Sequence, residues 1–181
     1  MIYKIEDKSP DIHSSVFIAP GAKIVGNVKI GEGSSVWFNC TVRGDGFHVH
    51  IGKFSNIQDN SVIHVTTNKF ASIIEDYVTI GHNVVIHGAT LKNYSFIGIS
   101  ATVMDNVTIE SFGFVAAGAL VPPGFTVPEK TLVAGVPAKI IRPLADDEIA
   151  MIKRVAVDYS DRAKSYKASL TPLMTNSEKQ I

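Results

Sequence analysis

An aliphatic residue returns every six positions along most of this chain, and that period excludes most folds. The run Ile18, Ile24, Ile30, Val36, Val42 continues, after longer gaps, as Ile51, Ile57, Ile63 and as Ile74, Ile80, Ile86, Leu91. It resumes as Ile97, Val103, Ile109, Val115, Val121, Val127. Four residues after most of these anchors comes a small side chain, as at Ala22, Ser34, Cys40, Ser55, Ser61, Ala101 and Ala119. A period of six fits neither the 3.6-residue turn of a helix nor the two-residue alternation of a hairpin. It suits short parallel strands joined by tight corners, three to a coil, each coil burying its inward side chains on the next. A sandwich of short strands gives no reason for so many anchors in phase. The expectation is an all-β solenoid over residues 1–143, its repeats ending near Val127.

Two insertions interrupt the period, besides one short step of five from Ile86 to Leu91. Three extra residues separate Val42 from Ile51, and five extra separate Ile63 from Ile74. In a solenoid such insertions are expected as loops, which often carry function. Beyond Val127, PEKTLVAGVPAKIIRPL has the Pro and Gly punctuation of a segment crossing out of the coil. Residues 144–170 then read as a helix, with Ile149, Ile152, Val155, Ala156, Tyr159, Ala163 and Tyr166 on one apolar stripe. Asp146 or Asp147 is expected to cap it, and the stripe to pack on the prism or on a neighbour. Residues 171–181 are polar and unpatterned and are expected to fray.

Composition narrows the function. Lys+Arg and Asp+Glu both number 17, so charge gives no case for nucleic acid or an anionic membrane as partner. One cysteine, Cys40, excludes an intrachain disulfide and points to a reducing compartment. The N-terminal MIYKIEDKSP lacks the apolar run of a signal peptide. No apolar stretch approaches the roughly 18 residues of a membrane helix. A cytoplasmic location is expected.

Five of the six histidines lie between Val42 and Leu91. With the insertions removed, Val42, Ile63 and Ile86 are three repeats apart and share a face in successive coils. The residues just after them, Arg43, His64 and His87, then form an outward column, neighbours about 4.8 Å apart. Two imidazoles at that spacing can share a metal ion. Ile57 and Ile80 define another face, with Gln58 next to the first and Asp59 and His82 two positions after each anchor. His82 therefore converges with His64 and His87 only where one face of a subunit meets another face of the next, and a three-faced prism suggests a trimer. The same meeting sets Arg43 against Asp59 as an ion pair between subunits. Three neutral imidazoles leave a fourth tetrahedral position open, the arrangement of catalytic zinc. His13, His48 and His50 have no partner in register and read as loop or surface residues, with His48 or His50 near the rim of the site.

Arg43-Gly44-Asp45, Asn56-Ile57-Gln58-Asp59, His64, Gly81-His82 and His87-Gly88 together resemble the gamma-class carbonic anhydrases, above all their shorter bacterial relatives. The likeness runs nearly the length of the chain, through Gly135-Val136-Pro137-Ala138-Lys139 and the terminal helix. It implies a left-handed parallel β-helix, a homotrimer, and zinc (or iron or cobalt) held between subunits by His64, His82 and His87. It further implies that Gln58 orients the reacting water in CO2 hydration, that Arg43 pairs with Asp59, that Asn56 and Asp45 support the site, and that Tyr159 matches a helix tyrosine near it. The chain departs from the best-characterised members: Gly46 follows Asp45 where they carry a glutamate, and VTTNKFAS after His64 has no acid. Slow turnover without added buffer is therefore expected. Two other readings use the same frame: an acyl-CoA transferase or thioesterase, and a non-catalytic, metal-stabilised trimeric scaffold.

Overall fold

A computed structural model describes residues 1–173; the expected fraying of 174–181 lies outside them. Two-residue strands, such as Asn56–Ile57, Thr79–Ile80 and Phe96–Ile97, stack in parallel register, Ile57 beside Ile80 and Ile80 beside Ile97. The chain is a parallel β-solenoid with a C-terminal helix. Three columns of inward side chains fill it. The first face contributes Ile24, Val42, Ile63, Ile86, Val103 and Val121, and the second Ile51, Ile74, Leu91, Ile109 and Val127. The third contributes Val36, Ile57, Ile80, Ile97, Val115 and Val133. Every one of these side chains is fully buried. Each aliphatic chain thus sits on those of the coils above and below, which is why the six-residue period persists so far.

The solenoid extends further than the anchors alone suggest. Ile12 pairs in register with Ile30 and packs half-buried on the core. At the other end the repeats reach Val133 rather than stopping near Val127, because Thr131–Gly135 adds a strand beside Phe114–Val115. The chain then doubles back, Ala138–Pro143 pairing antiparallel with it. The segment expected to leave the coil therefore closes its last turn.

The first insertion makes no loop. Thr41–Ile51 is one strand that follows Lys23–Ile30 around a corner from the first face to the second, with a register shift between Gly26 and Val28. The extra residues are absorbed in that bend. Gly44 is obligatory there, since a Cβ would lie 2.3 Å from the Asn27 carbonyl oxygen. The second insertion is a turn closed by Thr66 and Phe70.

The helix, Asp146–Ser169, buries Ile152, Ala156, Ser160 and Ala163. It packs on its own chain, over the third face. Neither Asp146 nor Asp147 caps it. Ala145 is the N-cap, and the Glu148 carboxylate accepts its N–H at 2.8 Å while Arg142 grips both carboxylate oxygens. Burial on the solenoid supplies most of the helix's stability. No helix among the described residues is long and apolar enough to cross a membrane.

Candidate metal centre

The parallel register between Val62–His64 and Val85–His87 sets His64 directly beside His87. The rings stand edge to face with centroids 5.1 Å apart, and His64 Nδ1 lies 3.1 Å from His87 Nε2. The opposite nitrogen of each ring meets a carboxylate: His64 Nε2 is 3.0 Å from Asp45 Oδ1, and His87 Nδ1 is 2.8 Å from Asp105 Oδ1. Burial alone would raise the Asp45 pKa, but hydrogen bonds from His64, Arg43 and the Gly46 N–H outweigh it and hold the carboxyl down at about 2. Asp105 is likewise held below the usual carboxylate range, the hydrogen bonds from His87 and Thr66 overcoming burial.

These contacts constrain what can lie between the rings. An ionised carboxylate only accepts, and a neutral imidazole has one N–H. If each ring gives its N–H to its carboxylate, the two facing nitrogens are both acceptors. Two lone pairs 3.1 Å apart repel unless a cation joins them. A tetrahedral zinc with Zn–N bonds of about 2.0–2.1 Å holds its nitrogen ligands roughly 3.3 Å apart. The donor set of the first face would therefore fit a metal ion only with a further ligand to complete it.

That ligand is absent from the first face. His82 belongs to the third, where its Nδ1 lies 2.8 Å from Asp59 Oδ2. Among the described residues, no three His, Cys, Asp or Glu side chains of one chain form a cluster able to hold a metal ion. Within the chain Arg43 pairs with Asp45, and Asp59 with His82. On the third face Asn56 and Gln58 are buried, and Gln58 Nε2 donates to Asn56 Oδ1 at 3.0 Å while Asn56 Nδ2 donates to Thr79 Oγ1 at 3.0 Å. This leaves the Gln58 amide oxygen as the end with an acceptor to offer. Tyr159 on the helix packs edge-on against Trp37 at 5.5 Å. Burial, reinforced by the charge of Asp59 and opposed by Arg162, pushes its phenol above the ordinary value.

A cleft of about 280 Å³ opens beside His64, lined by Ile5, Glu6, Arg43, Asp45, Gly46 and Thr67. His48 and His50 do not line it, and His50 is in register with Lys29 and Ile73 along the second face. His13 bonds to Ser15. Asp105 and Thr66 are the members of the site that the histidine pattern does not disclose. Asp105 stands two residues after the anchor Val103, one coil beyond His87, so an acid in the next coil of the same face was the available signal.

The bacterial transferase hexapeptide (six repeats) family matches residues 9–44. The crystal structure of a hexapeptide transferase family protein from Anaplasma phagocytophilum superposes with a TM-score of 0.88 at 36% identity, over 91% of this chain and 97% of that one. Gamma carbonic anhydrase 1, mitochondrial, of Arabidopsis thaliana is 42% identical over 92% of this chain, which spans 62% of that protein's length. The carbonic anhydrase of Geobacillus kaustophilus is 43% identical over 93% of this chain and 92% of its own. Matched along nearly its whole length by relatives of that name, the chain belongs to the gamma carbonic anhydrase family.

Proposed function

We propose that the protein hydrates CO2 reversibly to bicarbonate and a proton, at a metal centre assembled between subunits of a homotrimer. The observation that carries this reading is the pair of facing nitrogens on His64 and His87, each backed by a carboxylate. His64 and His87 of one subunit and His82 of the next would hold the ion, zinc in the first instance, with iron or cobalt as alternatives. Bound there, the ion supplies Lewis-acid activation of a water molecule. The remaining work falls to side chains of the chain itself. Asp45 holds His64, and Asp59 holds His82 through Nδ1, which keeps Nε2 for the ion. Gln58, fixed on Asn56, turns its amide oxygen toward the reacting water and orients it. Arg43 and Asp59 would meet across the subunit boundary, and Tyr159 stands beside that half of the site. With glycine at 46 and no acid at 65–71, the released proton passes to buffer. The cytoplasm is the setting proposed for this chemistry.

Metal content and CO2 hydration should be measured together on purified protein, wild type beside His82→Ala and His64→Ala. Three ions per trimer, activity that rises with buffer concentration, and loss of both in the variants are expected. A metal-free wild type, or hydration equal to that of His82→Ala, would refute the reading. Acyl transfer is a second reading, favoured by the transferase names of the repeat family and of the Anaplasma structure. Release of free CoA from acyl-CoA without CO2 hydration would select it, and metal with neither activity would select a trimeric scaffold.

A further inference from the structure

We infer that Asp105 is a positioning residue that sets the tautomer and orientation of His87, with Thr66 holding Asp105 in place; this rests on the metal-centre reading above. The contacts form a chain. Thr66 is fixed in its turn by backbone bonds to and from Phe70 of 3.0 and 3.1 Å. Its hydroxyl lies 2.9 Å from both oxygens of Asp105. Asp105 Oδ1 in turn meets His87 Nδ1 at 2.8 Å. Space for that approach is built in, because a Cβ on Gly88 would sit 2.4 Å from Asp105 Oδ1.

The consequence is chemical. A carboxylate with no proton forces the nitrogen that faces it to be the N–H, so Nδ1 of His87 carries the proton and Nε2 keeps its lone pair. Nε2 is the atom that faces His64 Nδ1. The Thr66 hydroxyl stops the carboxylate from rotating away. An amide at position 105 has the same size but can present NH2 to Nδ1, which selects the opposite tautomer and puts a proton where the cation would bind.

Asp105→Asn is therefore the discriminating variant, with Thr66→Val as the milder one and Glu110→Gln on the second face as control. Zinc and cobalt affinities are read by competition with a chromophoric chelator. Loss of such an outer hydrogen-bond partner commonly weakens metal binding by about 10–100-fold. That loss is expected for Asp105→Asn, a smaller one for Thr66→Val, and none for Glu110→Gln. A second readout needs no metal: long-range proton–nitrogen correlation spectra of the metal-free protein should show a proton on His87 Nδ1 in wild type and its displacement in Asp105→Asn. Should Asp105→Asn fail to fold, Thr66→Val carries both readouts. Unchanged affinity together with an unchanged His87 ring spectrum would overturn the inference. If the wild type takes up no metal, the metal-centre reading falls, while a wild-type proton on Nε2 instead of Nδ1 overturns the role of Asp105 separately.

Discussion

Ile74→Ala tests the frame without touching the site. Ile74 is fully buried in the column between Ile51 and Leu91, on the face that carries neither set of histidines. The change removes three buried carbons, worth roughly 2.4 kcal/mol at about 0.8 kcal/mol each. The coils cannot close over the gap, because each is hydrogen-bonded to neighbours at a fixed pitch. The unfilled cavity raises the cost to about 3–4 kcal/mol, within the range of roughly 2–5 found for such truncations. For a domain of this size that corresponds to a fall in Tm of roughly 6–16 °C. The assay is guanidinium unfolding of metal-free protein at one concentration, followed by circular dichroism and by the single tryptophan, Trp37. Ile140→Ala, on the exposed return strand, serves as comparison and should stay within about 0.5 kcal/mol. A cost below about 1 kcal/mol for Ile74→Ala, or one equal to that of Ile140→Ala, would show that the inward columns do not carry the fold in the way described.

Two further outcomes follow from contacts outside the core. Glu148 is held down to about 2 from 4.5 by hydrogen bonds from Arg142 and from the Ala145 N–H. Its folded value lies below its unfolded one, so its stabilisation is present above pH 4.5 and is lost as pH falls through about 2. The stability difference between wild type and Glu148→Gln should shrink across that window, and a difference independent of pH would contradict the ion pair. Tyr94 stacks between Tyr77 and Phe112 at 4.8 and 4.9 Å, nearly parallel to both. Tyr94→Ala deletes two aromatic pairs and should cost about 1–3 kcal/mol in the same unfolding assay; no measurable loss would make the ladder a by-product of the repeat.

The period of six was enough to place most of the frame, because one inward aliphatic residue per strand repeats in three dimensions as it does along the chain. It also put His64 beside His87, since both follow an anchor by one residue in adjacent coils. What it missed has physical reasons. The insertion after Val42 looks like a loop by length, yet two paired strands take it up by bending together around a corner. The sequence offers two aspartates as caps, whereas Glu148, held by Arg142, satisfies the helix start instead. Asp105 is hard to read from the repeat because it lies two residues past its anchor and reaches His87 diagonally across a coil boundary.

The helix has a consequence beyond its buried stripe. At about 1.5 Å per residue its 24 residues extend roughly 36 Å. That exceeds the distance across the seven parallel strands of the third face, roughly 29 Å at their usual spacing. It departs beside Lys130 in the last coil, where the Leu144 N–H bonds to the Lys130 carbonyl at 2.8 Å. It arrives at the first, where Lys167 Nζ donates to the carbonyl oxygens of Ser14 and Val16. A stack of coils that touch only their neighbours can melt from either end, one step at a time. Here the final element lashes the last coil to the first, so neither end can open without loosening the other. Cooperativity in this chain thus comes from closing a linear array on itself, and cutting the helix away should turn one sharp melting transition into gradual unravelling.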